Sequence, residues 1–244
     1  MMDKSLTGNV ALITGASRGI GRAIALRLAQ ARATVILVAR TASDLHDVAT
    51  EIRTAGGEVV VMPGDVTQDE QVTTLVQTVV EQFGRIDILV NNAGGGTPRT
   101  PVVKSRLSDW EWTLRVNLWA TMHLTRLAVP GMITRHTGAI INISSLAGLT
   151  GKGGEAAYAA AKFGVRGFSQ SLFEEVREYG IKVCTVCPGY VDTNLIPANR
   201  RIDRNKMIRP EDVAEAVYSV VVASPRSCPT ELVLQPQYDP LKTS

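Results

Sequence analysis

The sequence predicts a doubly wound α/β fold, a parallel sheet of about seven strands with helices on both faces. Three observations carry the prediction. Short apolar runs such as Val35-Ile36-Leu37-Val38 recur from end to end. Amphipathic stretches of helical length separate them, and this alternation implies parallel strands joined by βαβ crossovers. The 244 residues hold no internal repeat, low-complexity tract or interdomain linker. One sheet covered on both faces commonly reaches this length, so 1–244 is expected to be one domain with a core over about 7–234.

The elements follow in order. Residues 10–13 read as a strand, 21–31 as a helix, 35–38 as a strand and 43–55 as a helix. Strand 59–62, helix 69–83 and strand 86–90 come next. One long helix is expected over 108–135, then strand 139–143, a second long helix over 156–179 and strand 183–187. Helix 210–223 opens on Pro210, whose missing N–H costs nothing at a first helical position. Strand 231–234 closes the pattern, and 192–209 is the least regular segment, expected to be a mobile loop.

Composition narrows the function classes. The net charge of +3 is too small to indicate nucleic-acid binding. The densest basic stretch, 200–206, reads first as a solvated loop and second as a contact for an anionic substrate or cofactor phosphate. Three cysteines argue against a disulfide framework and for a reducing compartment. Cys184 and Cys187 form a C-x-x-C within a strand, where residues three apart face opposite ways; they read as core cysteines, and no metal site is expected. The first residues lack an apolar signal core. No apolar run approaches the roughly 18 residues of a bilayer span. A cytoplasmic protein without membrane or nucleic-acid partners is the expectation.

Thr14-Gly15-Ala16-Ser17-Arg18-Gly19-Ile20-Gly21 lies between the first strand and the first helix. Glycines there permit a tight turn and close approach of a pyrophosphate to backbone N–H groups at a helix N-terminus. The G-x-x-x-G-x-G spacing differs from the common G-x-G-x-x-G, and its position after an apolar strand gives it weight. Strand two ends Val38-Ala39-Arg40, with no acid to bind a ribose 2′-hydroxyl. Arg40 and Arg18 suit a 2′-phosphate instead, so NADP(H) is favoured over NAD(H). Asp65, before Val66, reads as an acceptor for an adenine amino group. Its alternative is a helix N-cap, a role open equally to Thr67 and Asp69. Asn91-Asn92-Ala93-Gly94 ends strand four, where small residues let backbone lie along a cofactor and the amides can pin strand ends.

Tyr158 and Lys162 are four apart on a predicted helix and therefore share a face. A nearby ammonium lowers a tyrosine pKa from about 10 and fits it to exchange a proton with an alcohol. Ser145, at the end of strand five, can hold the substrate oxygen beside it. Asn117 is unfavourable within a helix; its amide needs partners, and a water between it and Lys162 could carry protons.

Together these residues resemble the short-chain dehydrogenase/reductase family in its compact branch, over about 7–234. The resemblance implies a Rossmann-type fold and a catalytic tetrad of Asn117, Ser145, Tyr158 and Lys162. It also implies that Lys162 binds the nicotinamide ribose, that Pro188, Gly189 and Thr193, with Val191, flank the carboxamide, and that Asn92, Ala93 and Gly94 lie by the adenosine ribose. Members are usually homodimers or homotetramers, the helices carrying Asn117 and Tyr158 packing against their copies. The expected function is NADP(H)-dependent interconversion of a small carbonyl and an alcohol. The segment after residue 234 departs from the Gly-rich end of 3-oxoacyl reductases, so a 3-oxoacyl thioester is an alternative substrate rather than the first. An alternative of another class is a catalytically silent NADP-sensing scaffold, whose mark would be loss of Ser, Tyr or Lys.

Overall fold

The computed structural model describes residues 4–196 and 202–241. Strands β1 (Val10–Thr14), β2 (Thr34–Ala39), β3 (Val59–Pro63), β4 (Ile88–Asn91), β5 (Gly138–Ile143), β6 (Ile181–Pro188) and β7 (Glu231–Leu234) form one parallel sheet. Their spatial order is β3-β2-β1-β4-β5-β6-β7. The chain therefore builds outward from β1 on one side and, after β3, on the other. The crevice between the C-terminal ends of β1 and β4 is the switch point at which open α/β sheets take ligands.

The pleat sorts side chains onto two cores. Ala11 and Ile13 of β1, with Val35 and Leu37 of β2, pack beneath α1 (Gly19–Gln30), α2 (Ala42–Thr54) and α7 (Pro210–Val221). Leu12, Ile36 and Val38 face the other layer, made by α3 (Asp69–Phe83), α5 (Ala120–Arg135) and α6 (Ala156–Val176). This is why the strands read as unbroken apolar runs: both faces are covered. Each of the wholly buried large side chains, Leu12, Ile24, Leu28, Ile36 and Leu124 among them, contributes about 1.5–3 kcal/mol by leaving water.

Two expectations are corrected. The helix expected over 108–135 is interrupted: α4 (Leu107–Leu114) passes into a π-helical turn, Arg115–Trp119, before α5 begins. Neither Thr67 nor Asp69 caps α3, whose N-cap is Gln68 without a side-chain bond. Of the segment 192–209, residues 197–201 lie outside the described residues, and the described flanks meet each other. Val191 bridges Ile208, the Asp192 N–H donates to Ile208 O at 2.9 Å, and Arg204 pairs with Asp192. Of the basic stretch, Arg204 and Lys206 meet carboxylates, while Arg200 and Arg201 lie outside the described residues.

Candidate active site

At the β1–α1 turn the backbone is packed as closely as glycine allows. Gly15 and Gly19 have φ of +65° and +54°, the left-handed region where a side chain is costly. A Cβ on Gly21 would lie 2.2 Å from Gly15 O and 2.4 Å from Asn92 Nδ2. Asn92 locks the turn to β4: its Nδ2 donates to Thr14 O at 2.9 Å and Gly15 O at 3.2 Å. The Thr14 hydroxyl accepts in return from Asn92 N at 3.1 Å and Ala93 N at 3.0 Å.

Helix α1 starts at Gly19 with neither a side-chain cap nor an acid in its first turn, so its N-terminal N–H groups face the crevice without an internal anion. Ile20 packs against the core below, and Ser17 is half-buried in the turn. Arg18 and Arg40 are exposed, and among the described residues neither pairs with a carboxylate. Thr193 folds over the same turn: a Cβ on Gly19 would be 3.1 Å from its Cγ2. Asp65 makes a local turn, its Oδ1 accepting from Thr67 N at 2.9 Å and Thr67 Oγ1 at 2.8 Å. Val66 and Val191 are buried. The Gly189 N–H, following Pro188, bonds Leu234 O at 2.8 Å and fixes the end of β6 to β7.

Ser145 and Tyr158 meet at the C-terminal edge of β5. The Ser145 Oγ accepts from Ala147 N at 3.1 Å, which leaves its own O–H to donate outward. Burial pushes the Tyr158 phenol above its ordinary value; the Ser145 hydroxyl bonds the phenol and pulls it back, and Glu155 pushes it up. Lys162 is buried beneath, its Nζ 5.7 Å from the Tyr158 ring centroid and donating to Ile143 O at 2.9 Å. Burial brings its pKa down to about 8, with Cys187 acting weakly the other way. The sequence reading makes Lys162 the group that favours the phenolate. In the protein alone burial outweighs the pull of Ser145 toward the phenolate. Ser144 points away, donating to Lys162 O at 3.0 Å.

Asn117 sits in the π-helical turn and is fully enclosed. Its Nδ2 donates to Gly95 O at 2.7 Å and Thr113 O at 2.8 Å, and its Oδ1 accepts from Gly95 N at 3.2 Å. Gly94 lies between this amide and the lysine: a Cβ there would be 2.7 Å from Asn117 Oδ1 and 3.6 Å from Lys162 Nζ.

Comparison with known proteins places this arrangement. The sequence profile of the short chain dehydrogenase family matches residues 9–203. The chain is a short-chain dehydrogenase/reductase. It is 37% identical over 220 residues to the ketoacyl reductase HetN of Nostoc sp., covering 89% of this chain and 76% of that one. It is also 37% identical to the 3-oxoacyl-[acyl-carrier-protein] reductase of Synechocystis sp., over 87% of this chain and 89% of the relative. A crystal structure of a metagenomic short-chain oxidoreductase in complex with NADP superposes with a TM-score of 0.86 at 36% identity. The match covers 96% of this chain and all of that one.

For this short-chain dehydrogenase/reductase, membership means oxidoreductase chemistry between an alcohol and a carbonyl on a Rossmann-type sheet. The sequence puts Arg99, Glu155 and Tyr190 in segments expected to line the substrate, 95–106, 146–155 and 190–209, without marking any contact between them. Arg99 Nε bonds Glu155 Oε1 at 2.5 Å across 56 positions, and its guanidinium also meets the Tyr190 hydroxyl. Nothing in residue spacing marks such a contact. Among the described residues no group of His, Cys, Asp or Glu could hold a metal. No helix among them is long and apolar enough to cross a membrane.

Proposed function

We propose that this short-chain dehydrogenase/reductase is an NADP(H)-dependent enzyme in which Tyr158 exchanges the proton and Ser145 holds the reacting oxygen of a small carbonyl or alcohol. The observation that carries the reading is the gathering of three side chains at one point: Ser145 close enough to the Tyr158 phenol to favour its ionised form, with Lys162 buried behind the phenol ring. The glycine cradle and the uncapped start of α1 fit a pyrophosphate. Arg18 and Arg40 fit a 2′-phosphate, and the NADP complex of the metagenomic relative supports that choice. A nicotinamide held there would supply or accept the hydride at the substrate carbon, and its oxidised form would add positive charge favouring the phenolate.

The chain's own residues do the rest. Ser145, oriented by Ala147 N, donates to the substrate oxygen and stabilises the charge that grows there. Tyr158 gives or takes the proton at that oxygen. Lys162, with Gly94 between it and Asn117, supplies positive charge and a route for proton replacement. With Ser145, Tyr158 and Lys162 all present, a silent NADP-sensing scaffold has no residue in its favour. A 3-oxoacyl thioester is a second substrate reading, favoured by the printed names of the Nostoc and Synechocystis relatives. The helices α5 and α6 are proposed to pack against a second copy.

The test is NADPH consumption across ketones, aldehydes, oxoacyl thioesters and quinones. Tyr158→Phe is expected to lower kcat at least ~100-fold on every active compound while NADPH still binds, the loss typical of removing a general acid. Activity within about tenfold of the parent refutes the assignment. Arg40→Asp is expected to move the kcat/KM ratio toward NADH, and an unchanged ratio rejects the 2′-phosphate role.

A further inference from the structure

The segment that leaves β4 crosses the catalytic tyrosine and is tied down at both ends. At its root, Asn117 bonds both the N–H and the carbonyl of Gly95. At its far end, Thr100 N donates to Gly154 O at 3.0 Å and Arg99 Nε meets Glu155 Oε1 at 2.5 Å. Between the two ties, a Cβ on Gly96 would lie 3.9 Å from Tyr158 Cδ2. Gly154 is left-handed, φ +81°, and a Cβ there would be 3.2 Å from Arg99 Cβ and 3.3 Å from Thr100 N. The two segments touch because a glycine stands at their crossing. Prolines 98 and 101 flank Arg99 and Thr100 and stiffen the strap.

Glu155 is the N-cap residue of α6, yet its carboxylate makes no cap bond. It turns to Arg99 and stands one helical turn before Tyr158, on the same face. We propose that Arg99 and Glu155 form a latch that holds 95–100 across Tyr158 and shields the phenol from the Glu155 carboxylate. They are positioning residues, and the shielding half of the proposal rests on Tyr158 being the acid/base. Among the described residues the charged and titratable groups around them are few. Tyr190 meets the Arg99 guanidinium, and Lys152 Nζ stands 5.7 Å from the Tyr190 ring centroid. Lys162 lies behind the Tyr158 ring, and Cys187 lies near Lys162. Of these groups only Glu155 is a carboxylic acid, and it makes the phenol harder to ionise.

Two measurements on the NADP+-saturated protein test the latch without needing a substrate. One is amide hydrogen exchange at 95–101. The other is ultraviolet titration of the phenol, each variant read against the same variant carrying Tyr158→Phe. Arg99→Gln is expected to speed exchange at least ~5-fold by freeing the tie and to move the Tyr158 midpoint up by ~0.3 pH unit or more. Glu155→Gln is expected to speed exchange similarly but to move the midpoint down. The swap of Arg99→Glu with Glu155→Arg restores slow exchange and leaves the midpoint below the parent's. A purely structural pair cannot give midpoint shifts of opposite sign. The Arg99 side chain is 60% exposed, and an ion pair at the surface adds little to global stability, so the variants are expected to fold. Exchange unchanged in both single variants overturns the latch. Midpoints that stay put, or move together, overturn the shielding. If Tyr158→Phe retains turnover while these shifts appear, the assignment of Tyr158 fails and the latch stands.

Discussion

Lys162 shows what one residue concedes to its position. Among the described residues its ammonium has no carboxylate partner; it is buried, donates a hydrogen bond to the Ile143 carbonyl, and burial brings its pKa down to about 8. An unfolded lysine titrates near 10.4. Between those two values the unfolded chain binds more protons than the folded one, so stability rises with pH across the window. Below about pH 8 the folded protein carries the full penalty, on the order of 3 kcal/mol at 1.36 kcal/mol per unit. Lys162→Met removes that penalty and also one hydrogen bond, a loss of about 1 kcal/mol. The ligand-free variant is therefore expected to unfold about 1–2 kcal/mol later than the parent at pH 7. The gap should shrink toward pH 10. Denaturant titrations at both pH values check it, and a variant less stable at pH 7 would show that the lysine is not held against its charge. A gain in stability with a loss of turnover is the exchange expected at a functional site.

At the scale of the element, what could be read from the chain depended on whether a contact leaves a periodic trace. Strands buried on both faces leave one, and β1, β2, β5 and β6 lie where apolar runs placed them. The glycine turn is legible too, because a backbone approach such as that of Gly21 to Gly15 O tolerates no side chain. The π-helical turn at Arg115–Trp119 leaves no such trace. It is a single turn of five residues, too short for a period of its own to show in the pattern. Yet that turn has a consequence. Within it, Asn117 bonds the Thr113 carbonyl one turn back while also holding the Gly95 carbonyl and N–H. An asparagine within a helix was a readable oddity; that it anchors the strap over the site was not. Arg99 and Glu155 are further out of reach, since they pair across 56 positions with no motif linking them.

The whole molecule presents one face that its own fold leaves uncovered. Helices α3, α5 and α6 enclose a groove of about 930 Å³ lined by Met122, Val129, Phe168 and Leu172. Trp119 and Phe163, on the π turn and α6, are 48% and 43% exposed. Asp69 organises the rim: its Oδ1 accepts from Trp119 Nε1 at 2.8 Å and from Arg115 at 3.2 Å, with His123 Nδ1 at 3.4 Å. The indole N–H chiefly, then Arg115, holds that carboxyl below its usual range against burial. Apolar surface gathered between ordered polar groups is what an association face requires, and α6 carries Tyr158 on its way past. A second copy seated there would restrain the helix that aims the phenol. Met122→Glu puts a charge in the groove at a half-buried position outside the packed core. It is expected to shift the sedimentation profile to monomer with near-parental circular dichroism, and to lower kcat more than KM if the restraint on α6 matters. An unchanged sedimentation coefficient would mean that copies of this chain do not meet through α5 and α6.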